Sequence, residues 1–202
     1  MSTAPPRPAI IPGTDELEPP PPMTEEEFLA LPEDGIDREL IFGTVREFGM
    51  TIRNRFHGRI EAEAVYRLRL WLETQPEPRG VIVSGEIGFR LHGPDISRVG
   101  ADVAYVSAEL EARTGPKDNI YDGPPVLAVE ILSGSEHLRD LDDKIRAYLD
   151  AGAIVWVFDP RWKVVYLHRP GRPLETVNVT HELIGDPELP GFRVPVALFF
   201  PG

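Results

Sequence analysis

Val126-Leu127-Ala128-Val129-Glu130-Ile131-Leu132 decides the fold of this chain. The run is apolar at every position but one and too short for a helix of ordinary length, so it reads as a strand. Unbroken apolarity in a short strand implies burial on both faces, as in a sheet covered by helices. The exception is Glu130. A carboxylate inside such a strand is costly unless an opposite charge or a metal ion compensates it.

The neighbouring segments supply the rest of a sheet. Upstream, Val99–Val106 (VGADVAYV) is a second strand signal, and Val81–Val83 with Glu86–Leu91 is another. Downstream, Leu141–Leu149 has helical periodicity and ends at Ala151-Gly152, with the glycine as C-cap. Ile154–Phe158 and Val164–His168 flank Asp159-Pro160-Arg161 as a hairpin, and the terminal LPGFRVPVALFF predicts a closing strand and an apolar anchor.

In the first half, Asn54–Leu72 places Ile60, Ala64, Leu68 and Trp71 on one helical face, with His57 and Glu61 on the same side. Pro76 and Pro78 end that helix. Arg38–Phe48 predicts two short strands turning near Gly43. Thr24 and Glu27 form a capping box, and Met23 and Phe28 a hydrophobic staple, for a short helix Glu25–Leu31 stopped by Pro32. Residues 1–22 hold eight of the 22 prolines and predict a disordered or extended arm. The expected organisation is that arm followed by one domain over 23–202. Its class is α/β: a mixed central sheet flanked by helices, with hairpin additions at both ends. No internal repeat is present.

Composition narrows the function. The chain has 202 residues and a formal net charge of −12, against a protein that coats nucleic acid non-specifically. An enzyme meeting nucleic acid through a small local patch and a metal remains compatible. The absence of cysteine excludes disulfides, thiolate zinc sites and cysteine nucleophiles. No apolar run approaches the roughly 20 residues of a membrane span, and the opening residues lack the pattern of a secretory signal. A cytoplasmic protein, with no membrane partner, is expected. There is no P-loop, GxGxxG, HExxH or GxSxG, and His57, His92, His137, His168 and His181 lack zinc-site spacing.

Three residues carry the chemistry. Glu130 and Asp102, the latter between Ala101 and Val103, are carboxylates in adjacent strand signals, and two such groups suit a hard divalent cation. Lys144 borders the apolar stripe of Leu141, Ile145, Tyr148 and Leu149 on a helical wheel, which directs it along the sheet toward Glu130. The other lysines, Lys117 and Lys163, lie in loop segments. His57 reads either as a core histidine or as a group orienting water or phosphate. Glu39 reads either as a third acidic ligand or as half of a hairpin salt bridge. Glu61 carries less signal.

Asp102 in ADVAYV, Glu130 in VLAVEILSGS, and Lys144 in DLDDKIRAYLDAG followed by VWVFDP together resemble the Uma-two restriction endonuclease family of the PD-(D/E)XK nuclease superfamily. RELIFG around Glu39, the helix-opening His57 and the closing LPGFRV extend the resemblance from about Met23 to the C-terminus. It implies a restriction-endonuclease-like fold and hydrolysis of DNA phosphodiester bonds to 5′-phosphate products. Asp102 and Glu130 would hold Mg2+, with Mn2+ as a substitute, and Lys144 would be catalytic. Glu39 and His57 would be accessory, and a homodimer is a further expectation. Three departures stand out. Ala101 replaces the superfamily's proline, Ser133-Gly134-Ser135 replaces Ser-Pro-Ser, and Leu132 occupies the lysine position two residues after the glutamate. The last matches the family's habit of carrying the lysine on the following helix. Two rivals remain open: a nuclease-like module that binds without cutting, and an interaction protein in which Glu130 is exposed.

Overall fold

The structure, a computed structural model, describes residues 21–48, 54–93, 95–133 and 138–200. Apart from Pro21 and Pro22, the expected N-terminal arm lies outside the described residues.

The chain opens with α1 (Glu25–Leu29), where Thr24 and Glu27 make the capping box reciprocally. A hairpin follows, β1 (Asp37–Ile41) and β2 (Thr44–Phe48). Then come α2 (Arg55–Glu73), β3 (Val81–Leu91), β4 (Ser97–Val106), α3 (Ala108–Arg113) and the short β5 (Tyr121–Asp122). The diagnostic run forms β6 (Leu127–Ile131), joined by α4 (Leu138–Asp150) to β7 (Ile154–Asp159). β8 (Val164–His168), β9 (Glu175–Asn178), β10 (Glu182–Ile184) and β11 (Arg193–Pro195) complete the strands, before a 3-10 turn at Val196–Leu198. The expected helix over Glu25–Leu31 is two residues shorter, α4 starts earlier than Leu141, and α3, β5, β9 and β10 were not foreseen.

Nine strands make one sheet, with the path β2-β1-β4-β6-β7-β8-β9 and with β3 joined to β4 and β5. β6 and β7 run parallel and are linked by α4, and most other pairs are antiparallel. β10 and β11 pair separately as a two-stranded sheet. Among the described residues, no helix is long and apolar enough to cross a membrane.

The alternation of β6 builds two cores. Leu127, Val129 and Ile131 face a cluster with Ile60, Ala64, Leu68 and Trp71 of α2 and with Trp156, Phe158, Phe192 and Phe199. Ala128 faces the other cluster, with Ile145, Ala147 and Tyr148 of α4 and with Val155 and Val157.

Two irregularities position the site. The β3–β4 register shifts between Ser84 and Ile87, so Gly85 and Glu86 bulge opposite Asp102. Both bulge residues have positive φ, +97° and +58°. Bulges bend a strand and re-aim its side chains. The β4–β6 ladder also ends at the pair Val103–Val129, one step before Asp102 and Glu130.

Candidate active site

Beyond that last pair, Ile131 has an N–H directed at β4 with no ladder carbonyl to receive it. Asp102 Oδ2 accepts it at 2.7 Å. A buried backbone donor left unpaired is costly, so the hydrogen bond fixes the carboxylate as well as closing the ladder. The other oxygen, Oδ1, lies 3.1 Å from His57 Nε2 in the first turn of α2. His57 is held there because Asn54 caps the helix, its side chain accepting from the Phe56 and His57 N–H groups. Glu61 Oε2 stands 3.8 Å from His57 Nδ1. Burial alone would raise the Asp102 pKa. The hydrogen bond and charge of His57, with the Ile131 N–H and Lys144, outweigh it and leave the carboxyl below its ordinary value.

Glu130 turns to the other helix. Its Oε2 is 3.0 Å from Lys144 Nζ, which also lies 3.0 Å from Glu39 Oε1. All three side chains are nearly enclosed, at 12% exposure for Lys144, 10% for Glu39 and 9% for Glu130. Glu39 Oε1 accepts the Gly100 N–H at 2.7 Å, and the Gly100 carbonyl accepts the Tyr148 hydroxyl at 3.0 Å. The backbone of one β4 residue, Gly100, is therefore held from α4 through its carbonyl and holds β1 through its N–H. At the start of α4, Arg46 of β2 pairs with Asp140 and, at 2.6 Å, with Asp143. That clamp ties the β1–β2 hairpin to the helix carrying Lys144.

One ammonium faces two buried carboxylates. Burial pushes Glu130 up to about 8; Lys144 opposes the shift, and the charges of Asp102 and Glu39 reinforce it. Burial works against the Lys144 charge, but Glu130 and Glu39 more than restore it, so the ammonium is held well above its ordinary pKa. Burial, then Glu130, holds the Tyr148 hydroxyl in its neutral, donating form.

The structure thus brings Lys144 to Glu130 and pairs Asp102 with His57. Glu39 meets Lys144 and Gly100, so the hairpin salt bridge is set aside: Arg46, its cross-strand neighbour, goes to α4 instead. Asp102 and Glu130 sit at the end of one ladder yet engage helices packed on opposite faces of the sheet. Among the described residues, no group of three or more His, Asp or Glu side chains is gathered closely enough to hold a metal ion. Among the described residues, two buried oxygens, Glu39 Oε2 and Glu130 Oε1, have no hydrogen-bond partner. Hard carboxylate oxygens of this kind are the donor chemistry that magnesium or manganese takes.

Sequence reasoning missed Tyr148 as more than a core residue, the Gly100 peptide, the Arg46 clamp and the bulge at Gly85-Glu86. A glycine inside a strand pattern is the one signal that pointed to the bulge.

The family model described as "putative restriction endonuclease", Uma2, matches residues 25–197. A crystal structure of a "putative nuclease belonging to DUF820" from Anabaena variabilis matches with a TM-score of 0.74 and 22% identity, covering 89% of this chain and 98% of that chain. At that identity the likeness shows the fold: a restriction-endonuclease-like sheet with flanking helices. No match is found among curated proteins. The family match runs from α1 through the terminal 3-10 turn and takes in Glu39, His57, Asp102, Glu130 and Lys144, so this chain belongs to the Uma2 family.

Proposed function

We propose that this protein is a metal-dependent endonuclease that hydrolyses DNA phosphodiester bonds. The observation that supports this reading best is the buried Lys144 ammonium held between Glu130 and Glu39 at the end of the β4–β6 ladder. Burying three ionisable groups together is unfavourable for stability alone, and such arrangements concentrate where chemistry needs them.

Asp102 and Glu130 would hold Mg2+ or Mn2+, with the unpartnered oxygen of Glu39 as an accessory donor. When bound, the ion supplies a lowered pKa to the attacking water and positive charge against the scissile phosphate. The protein's own groups do the rest. The Ile131 N–H and His57 orient Asp102 so that a carboxylate oxygen is presented in a fixed direction. The Tyr148–Gly100–Glu39 relay fixes one side of Lys144 and Glu130 the other. Lys144 presents a preorganised positive charge to the phosphoryl oxygens, which gain charge as the nucleophile attacks.

The test is cleavage of plasmid DNA with Mg2+ or Mn2+ by wild type and by Asp102→Asn and Glu130→Gln. Nicking by wild type and its loss in both variants is expected. A second reading, a nuclease-like module that binds without cutting, draws on the lack of a gathered three-ligand group among the described residues. Wild type that binds DNA but never cuts it with either ion would favour that reading.

A further inference from the structure

The outward face of α2 carries a cationic stripe that the active site does not use. Arg55, Arg59, Ala62, Tyr66 and Arg69 recur at i, i+4, i+7, i+11 and i+14. At about 100° per residue they fall within a narrow arc. That arc lies opposite Ile60, Ala64, Leu68 and Trp71, which are buried against the sheet. All five stripe residues are exposed. Arg55, Arg59 and Arg69 make no ion pair among the described residues, while Arg67, off the stripe, is paired with Glu63. The stripe therefore presents three uncompensated cations over roughly 21 Å of helix, on a protein with a net charge of −12.

Aromatic rings accompany the arginines. Phe56 is 47% exposed and Tyr66 51% exposed. Arg55 stacks over Phe56 at 4.7 Å, and Arg67 over Tyr66 at 5.1 Å. Guanidinium groups interleaved with exposed rings suit a polyanion that also offers flat bases. The stripe starts at the end of α2 that carries His57, which contacts Asp102 from the buried face of the same helix.

We infer that this face of α2 is the surface along which the DNA backbone lies when a phosphate is delivered to the site beside His57. The inference rests on the preceding reading only in taking DNA as the ligand. Its arginines position the substrate and touch no reacting atom. Their removal should weaken binding and raise KM while leaving kcat nearly intact.

The experiment uses the full-length chain and a fluorescein-labelled DNA duplex, with anisotropy read in EDTA over a salt series. The triple variant Arg55→Ala/Arg59→Ala/Arg69→Ala is compared with Lys117→Ala/Lys163→Ala/Arg172→Ala, which removes the same charge from exposed positions elsewhere. The stripe variant should bind 10- to 100-fold more weakly. Its salt slope should fall by up to about 2.7, since each lost phosphate contact removes roughly 0.9. The control should stay near wild type. Unchanged affinity and slope in the stripe variant would overturn the inference, as would an equal loss in the control. Wild type that ignores DNA but binds polyglutamate would assign the stripe to an acidic protein instead. Cleavage with Mn2+, run in parallel, separates the two proposals. Stripe-dependent binding without any cleavage sinks the nuclease reading alone; normal cleavage with an unchanged KM in the stripe variant sinks this one alone.

Discussion

The two faces of the central sheet solve different problems. The α2 side is filled with large apolar groups: Trp71, Trp156, Phe158, Phe192, Phe199 and Phe200 pack in edge and tilted contacts, with centroids 5.0–6.3 Å apart. The α4 side mixes Ala101, Ala104, Ala128, Ala147 and valines with Phe89, Leu91, Ile145 and Tyr148, and there the fold buries Lys144 with two glutamates. Apolar area stabilises without regard to direction, whereas buried charge is tolerated only in a fixed geometry. Both faces supply apolar burial, and the α4 side also places the Lys144 cluster. The β6 strand joins both, since Val129 and Ile131 serve the first face and Ala128 and Glu130 the second.

Removing the charge at the centre of the α4 face should have the largest effect. Lys144→Ala leaves Glu39 and Glu130 buried without a counter-ion. It should abolish DNA cleavage and also destabilise the fold, by about 3–5 kcal/mol for a broken buried pair. That cost follows from the enclosure of Lys144 between the two glutamates. Lys144→Arg separates the effects. It keeps the charge, and so most of the stability, but a planar guanidinium cannot take the place of a compact ammonium. Cleavage should drop about 10²–10³-fold, as when one preorganised electrostatic contact is lost. Wild-type cleavage by Lys144→Arg would show that the position of this charge is unimportant.

The α2 face should answer differently. Phe158 is fully buried, against Phe199 and Phe200. Phe158→Ala should cost about 3–5 kcal/mol in urea unfolding, yet leave kcat unchanged in the folded fraction below the transition. A loss of kcat with little loss of stability would break the division between the faces.

A pH-dependent effect follows from Glu130. In EDTA, its pKa of about 8 means that the folded protein holds a proton which the unfolded chain releases near the ordinary value of 4.5. The stability from that proton is complete below about 4.5 and is lost as pH rises through about 8. Thermal melts of wild type should therefore fall by several degrees across this window, while Glu130→Gln, isosteric and uncharged, should fall less. Parallel pH curves for the two proteins would mean that Glu130 is ionised at neutral pH in the fold.

Much of the apolar face was legible in the sequence, because the periods of α2 and β6 need no partner to be seen. Glu130 and Lys144 were legible for the opposite reason: each interrupts an apolar pattern. The polar relay was not. Tyr148 reads as an ordinary stripe residue, and nothing local says that its hydroxyl will meet the Gly100 carbonyl 48 residues away. Glu39 stayed open between two partners because the choice depends on where β1 docks on β4 and where Arg46 goes, both set by long-range pairing. α3 escaped because six residues with one buried leucine carry no period to detect, although Ser107 caps it.

The smallest expected effect concerns the N-terminal edge of the described residues. The capping box places the first fixed turn at Thr24, but the contacts reach slightly further back. Met23 donates its N–H to the Gly43 carbonyl at 2.8 Å. Gly43 has φ of +74°, and a Cβ built there would stand 2.3 Å from Pro22 Cβ, so Pro22 packs directly on the hairpin turn. That hairpin carries Glu39 and Arg46, the two groups that join β1 and β2 to the α4 side. A chain starting at Pro21 should thus melt within about a degree of full length, since it keeps both contacts. A chain starting at Thr24 loses the hydrogen bond and the proline contact, together on the order of 1 kcal/mol, or about 2–4 °C for a protein of this size. The loss should fall on the charged face: Phe158→Ala should cost the same in either background, whereas Arg46→Ala should cost less once the hairpin is already loosened. Equal melting of the two truncated chains would show that the hairpin is held by its sheet pairing alone, and a drop of many degrees already at Pro21 would show that residues before it dock on the domain.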